Sequence, residues 1–201
     1  MKRREKIIIE ECKDKNVLDL GCANHSQDFR NDKFIHRDIK NVAKSVEGID
    51  ILKEEVDKMN EMGFNVHVGN VENFDLKKTY DIIIAGELIE HLSNPGLFLD
   101  CVKKHLNKNG KLVLTTPNSN RINNFIRILL KGRPGEFDEH FLSFSENTLQ
   151  NLLKNKGFKI DKLFFTIEEY DGAKNIFNRI CSHIRKSFSP TLVVIAKTVD
   201  N

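Results

Sequence analysis

The chain has 201 residues, of which 39% are hydrophobic and 30% charged. That length is most economically one domain with a full core of its own, and the composition excludes a disordered chain. A formal net charge of +3 is too small to argue for a nucleic-acid partner by itself.

Met1–Lys6 is basic and runs into Ile7-Ile8-Ile9, which Glu10-Glu11 interrupts. This apolar run is too short for a secretion signal, and no stretch of the chain is long enough to cross a bilayer. Cys12, Cys22, Cys101 and Cys181 are scattered, with no C-x-x-C pair. Their spacing argues against zinc and for a reduced, cytoplasmic setting.

Strand-like apolar runs then alternate with amphipathic segments, the pattern of a parallel sheet covered by helices. Asn16–Leu20 reads as the first strand, followed by a polar loop to Lys33 and a short helix over His36–Lys44. Val46–Ile51 is a second strand. Lys53–Met62 is helical, with Gly63 as its stop. Phe64–Val68 is a third strand. Tyr80–Ala85, nearly all apolar, is a fourth and central strand. Asn94-Pro95 starts a helix that Asn109-Gly110 is expected to end, and Lys111–Thr115 is the fifth strand. Thr116–His140 is the least regular part. Ser145 caps a helix to Lys156 that Gly157 terminates. Phe158–Ile167 and Thr191–Thr198 close the sheet as a pair.

Two segments have a basic amphipathic look, Asn120–Lys131 and Lys174–Phe188. In the first, Ile122, Phe125, Ile126, Leu129 and Leu130 recur at helical spacing, with Arg121 and Arg127 opposite. Such helices can lie on a membrane surface, which makes peripheral membrane contact one candidate partnership. The commoner arrangement covers the end of a sheet and keeps the charges wet, and it is the reading favoured here.

Four strand ends carry groups suited to a ligand. The first strand ends in Asp19-Leu20-Gly21, where glycine lets the backbone turn close to a bound molecule. The residues from Gly21 read Gly-Cys-Ala-Asn-His-Ser, so the G-x-G-x-x-G of a dinucleotide loop is incomplete. An acid beside that turn suits a ligand with positive charge. The second strand ends in Gly48-Ile49-Asp50, an acid placed to accept from ribose hydroxyls. The third is followed by Gly69-Asn70-Val71-Glu72. An Asn oxygen there can accept from an exocyclic amine, and the Val71 N–H can donate to a ring nitrogen. The fourth is followed by Gly86-Glu87-Leu88-Ile89-Glu90-His91. Each tip alone has a plain structural explanation; the coincidence of four on one sheet edge does not.

With these residues in place, the chain resembles the class I S-adenosylmethionine-dependent methyltransferases, from Asn16 nearly to its end. Val17-Leu18-Asp19-Leu20-Gly21-Cys22 resembles the family's first motif, Gly48-Ile49-Asp50 its ribose acid, and Asn70-Val71-Glu72 its adenine segment. Tyr80–Leu92, Gly110–Asn118 and Phe141–Phe158 resemble the later motifs. The resemblance implies an α/β fold in one domain over residues 1–201. This is a Rossmann-like, seven-stranded, mostly parallel sheet with helices on both faces and an antiparallel closing strand. It implies S-adenosylmethionine as cofactor, with Asp19, Gly21, Cys22 and Ala23 toward its methionine end. Asp50 and Ile51 then serve the ribose side, Asn70, Val71 and Glu72 the adenine, and Gly86 and Glu87 the floor near the sulfonium. Ala23 departs from the family's usual glycine and Asn70 from its usual Asp.

The implied reaction is in-line methyl transfer, whose main demand on the enzyme is alignment. An alcohol acceptor also needs its proton removed. His91 and His140 are the candidate bases by position, with Glu90 beside them. Glu87, Glu90 and His91 fall at i, i+3 and i+4, one face of a helical turn. With His140 they form a mixed N/O set that could hold a divalent ion. A similar Glu-x-x-Glu-His arrangement occurs in small-RNA 3′-end 2′-O-methyltransferases and in ubiquinone-pathway O-methyltransferases. The leading reading is O-methylation of a small molecule or glycan. A metal-dependent RNA 3′-end ribose methyltransferase, a nicotinamide oxidoreductase and a non-catalytic cofactor-binding relative are its rivals. Residues 116–140 and 170–189 are the expected acceptor-site lids.

Overall fold

The computed structural model describes residues 3–23, 34–135, 139–166 and 180–199. Strand β1 (Asn16–Leu20) lies at the centre because Val17, Leu18 and Leu20 have apolar neighbours on both faces and are fully enclosed. It pairs in parallel with β2 (Ser45–Asp50) on one side and β4 (Tyr80–Gly86) on the other. The short β3 (Val66–Val68) flanks β2, and β5 (Leu106–Pro117) flanks β4. Strand β7 (Thr191–Thr198) runs antiparallel between β5 and β6 (Phe158–Thr166). The order across the sheet is β3-β2-β1-β4-β5-β7-β6, so β7 alone opposes the other six. This is the expected sheet.

Helices cover both faces. Helix α1 (Arg3–Cys12), which the sequence reading did not single out, and α2 (Ile35–Lys40) pack Ile8, Cys12 and Ile39 against Val17, Ile82 and Ile84. On the other face, α4 (Pro95–His105) and α6 (Glu146–Asn155) pack Phe98, Leu99, Leu149 and Leu153 on Leu18, Ile83 and Leu112. Helix α3 (Lys53–Glu61) adds Val56 and Met59 beside Val66. The expected caps are present. Asn94 accepts from the Leu97 N–H, and Ser145 forms a reciprocal capping box with Thr148.

Several boundaries differ: α2 ends at Lys40 rather than Lys44, β3 begins at Val66 rather than Phe64, and β5 begins at Leu106 rather than Lys111. Helix α4 ends at His105, and Asn109-Gly110 lies within β5. A Cβ at Gly110 would sit 2.9 Å from the Tyr80 carbonyl oxygen. The glycine permits a close backbone approach beside an irregularity in the β4–β5 register, and does not mark a helix stop. Helix α5 (Ile122–Lys131) follows β5. Residues 180–184 are helical. His25 and residues 167–179, including much of the second amphipathic segment, lie outside the described residues, as does Asp138. No described helix is long and apolar enough to cross a membrane.

Candidate active site

The carboxyl ends of β1, β2 and β4 open into a cleft of about 1030 Å³. Its position follows from topology: strand order reverses between β1 and β4, and ligands of open α/β sheets sit at such a crevice. A second cleft of about 840 Å³ lies at the amino ends of the strands, around Lys15, Asp81 and Lys111.

At the β1 tip, Gly21 has φ +70°, and a Cβ there would meet Leu88 Cδ1 at 2.8 Å. Gly21, Cys22 and Ala23 all line the cleft. Burial and the carboxylates of Asp19 and Asp50 push the Cys22 thiol well above its ordinary pKa, which keeps it protonated and unreactive. Asp19 does not line the cleft. Its Oδ2 lies 2.8 Å from His36 Nδ1, and both side chains are buried. The acid expected at the methionine end therefore ties β1 to α2.

Asp50 faces the cleft with its carboxylate partly engaged. Oδ2 accepts from the Ala23 N–H at 2.8 Å and Oδ1 from the Leu52 N–H at 3.0 Å. It thereby holds the first-motif loop in place while keeping lone pairs for a ligand. Ile51 stands beside it, 67% exposed, an apolar surface on which a planar ring can lie. Asn70 Oδ1 accepts from the Glu72 N–H at 2.9 Å, a local turn that takes one lone pair of the expected adenine acceptor. The Glu72 carboxylate accepts from Ser93 Oγ and the Asn94 N–H, so it braces the loop before α4.

Beyond Gly86 the chain takes a left-handed step at Glu87, φ 52°. Bonds from the Glu87 N–H to the Thr115 carbonyl (3.0 Å) and Oγ1 (3.1 Å) hold it there. Glu87 Oε1 accepts from Thr115 Oγ1 at 3.0 Å and meets Arg4 Nη1 at 3.2 Å. Only Ile89–His91 forms a helical turn, of 3-10 type. Glu87 lies outside it, and the expected four-member ligand set contracts. Among the described residues, the ligand atoms of Glu90, His91 and His140 lie within 4.8 Å of one another.

Within this trio, Glu90 is the buried member. Glu90 is 1% exposed. Its Oε2 accepts from Thr116 Oγ1 at 2.9 Å, and Oε1 is buried without a hydrogen-bond partner. Burial first, and the nearby Glu87 charge second, push its pKa up to about 8. His91 Nδ1 donates to the Glu139 carbonyl at 3.1 Å. In the neutral ring that leaves Nε2 with a free lone pair, for a proton or a cation. The His140 ring stands edge-on to His91, 4.7 Å between centroids. The loop is held down by the Phe141 and Leu142 N–H groups, which both donate to the Glu90 carbonyl. The sequence reading missed Arg4, Thr115 and Phe141, which also line the cleft. Nothing in their spacing marks them.

The charges on the cleft wall test the fit of a cofactor. Glu5, Asp50, Glu72, Glu87 and Glu139 face it against Arg4. A wall with that balance suits a sulfonium and an ammonium better than a pyrophosphate.

A family model described as a methyltransferase domain matches residues 4–163. The (S)-coclaurine N-methyltransferase of Thalictrum flavum subsp. glaucum is 31% identical over 98 residues, which is 48% of this chain and 27% of that protein. The ubiquinone biosynthesis O-methyltransferase of Rickettsia conorii is 28% identical over 108 residues, 51% of this chain and 35% of that protein. The matched stretches thus span about a third of those relatives' lengths. A solved SAM-dependent methyltransferase from Archaeoglobus fulgidus shares the fold, with a TM-score of 0.66 and 20% identity. That superposition covers 97% of this chain and 91% of the other.

Proposed function

Since the chain belongs to the class I S-adenosylmethionine-dependent methyltransferases, we propose that it methylates a hydroxyl group of a small molecule or glycan. The observation that carries the oxygen assignment is the clustering of Glu90, His91 and His140 at the cleft wall. An amine with its lone pair free needs no base; a hydroxyl does.

S-adenosylmethionine, when bound, supplies a methyl group already activated on sulfur. The chain's work is to bind and to aim. Asp50 accepts from the ribose hydroxyls, Ile51 and Val71 flank the adenine, and the backbone around Gly21 and Ala23 receives the methionine end. Glu87, fixed by Thr115 and Arg4, presents negative charge toward the sulfonium side. His91, with Nδ1 bonded to the Glu139 carbonyl, turns Nε2 to the acceptor proton. His140 packs edge-on against it and steadies the ring. Phe141, 72% exposed at the rim, shields the acceptor from water.

Glu90, His91 and His140 would also suit a divalent ion, which lowers the pKa of a bound hydroxyl. An acceptor with two adjacent hydroxyls would exploit that site.

Methyl transfer from labelled S-adenosylmethionine to a panel of catechols, sugars and matched amines tests the assignment. Oxygen-linked product is expected, with turnover by His91→Ala reduced about 100-fold or more and by His140→Ala reduced less, both at unchanged S-adenosylhomocysteine affinity. Transfer to amines alone overturns it. Repeating the assay with a chelator and then added magnesium or manganese separates the two modes. Activity lost and restored supports metal assistance, and activity retained excludes it.

A further inference from the structure

Helix α5 is mounted with its polar side inward. Its one buried residue is Asn124. That amide accepts at Oδ1 from the Gly135 N–H (3.2 Å) and Arg121 Nε (3.1 Å), and donates to the Ser119 carbonyl (2.9 Å). Most of the apolar residues point the other way, with Ile122 and Ile126 half-buried. Leu129 is 85% exposed and Leu130 79%, with Phe125 and Ile128 also exposed. A helix that covers a sheet end does the reverse, so the favoured sequence reading of this segment does not hold. The patch extends beyond the helix. Phe125 meets Phe188 edge-on at 5.9 Å, and Ile180 and Ile184 are exposed nearby in sequence. Exposed apolar surface of this extent marks an interaction site.

Charge decides the partner. Residues 119–135 and 180–199 contain no Asp or Glu. Arg127, Lys131 and Arg133 on one segment, and Arg185 and Lys186 on the other, are all exposed. A second copy of this chain would bring two acid-free, cationic surfaces together. A nucleic acid would satisfy the cations and leave the leucines in water. An anionic bilayer satisfies both, taking side chains into the acyl boundary and cations at the headgroups.

We propose that α5 and residues 180–188 form a docking surface for an anionic phospholipid membrane. The helix is too short to span a bilayer and lies in the interface plane. This inference stands independently of the acceptor chemistry.

Co-sedimentation with phosphatidylcholine vesicles, with and without phosphatidylglycerol, tests it on the whole chain at physiological salt. Binding is expected only with phosphatidylglycerol. Leu129→Glu combined with Leu130→Glu should weaken it by roughly ten-fold or more, and so should Arg127→Ala combined with Lys131→Ala. Unaltered circular dichroism and S-adenosylhomocysteine affinity confirm that both variants fold. Wild-type protein that ignores anionic vesicles overturns the proposal, as does binding that survives both variants. Two further results overturn it. One is a solution dimer that the leucine variant dissolves, which assigns the face to a second copy. The other is tight short-RNA binding that depends on the cations while the leucine change is silent in both assays.

Discussion

His36 Nδ1 lies 2.8 Å from Asp19 Oδ2, and both side chains are buried. The pair joins the end of β1, just before the first-motif loop, to helix α2, with Phe34 and Phe64 against the imidazole. Truncating His36 to alanine strands a carboxylate in a dry pocket. We expect His36→Ala to lose about 3 kcal/mol of stability. Cofactor affinity, measured well below the new melting temperature, should change little. A large affinity loss with intact stability would show that Asp19 acts on the ligand directly.

Asp50 combines two duties, fastening Ala23 and Leu52 and facing the cleft. Asp50→Ala should lower S-adenosylhomocysteine affinity about 100-fold by titration calorimetry, equivalent to on the order of 3 kcal/mol in lost charge-assisted bonds. Asp50→Asn, which keeps an acceptor, should fall between. Wild-type affinity in the alanine variant would place the cofactor elsewhere.

Glu90 makes the metal-free protein sensitive to pH in a particular sense. Its carboxyl titrates near 8 when folded against an ordinary 4.5. Between those values the folded state binds more protons than the unfolded one, so stability falls as pH rises through the window. The full span is on the order of 5 kcal/mol. Glu90→Gln removes the titration and should flatten the profile, gaining most over wild type near pH 8. Urea denaturation at pH 5, 6.5 and 8 reads the slope, and parallel slopes for the two proteins would refute the assignment.

Gly21→Ala should cost about 1–2 kcal/mol through its positive φ alone. The added methyl also displaces Leu88, 2.8 Å away, so the cleft should narrow and cofactor affinity should drop with stability. Thermal unfolding with and without S-adenosylhomocysteine separates the two effects.

Strands and their polar tips were legible because both are local patterns. Asn16–Leu20 coincides with β1, and Ser145 caps α6 as its sequence suggests. Partners distant in sequence were not legible. Nothing in the spacing of Asp19 and His36 announces their bond, and the burial of Glu90 shows only once Thr116 and the 139–142 loop close over it. Glu87 departs from its helical spacing because Thr115, on a neighbouring strand, holds its backbone in a left-handed turn. Amphipathic spacing in α5 reveals an apolar side but not the direction it faces. That direction is set by Asn124 and Gly135.

Strand β6 has a single neighbour, β7, which follows it in the chain. While the chain is being synthesised, β6 waits without a partner until Thr191 and the residues after it emerge, and the flank of β5 waits with it. This eight-residue strand inserts between them like a keystone. A chain interrupted before Thr191 would display two open strand edges, the form most prone to aggregate during biosynthesis.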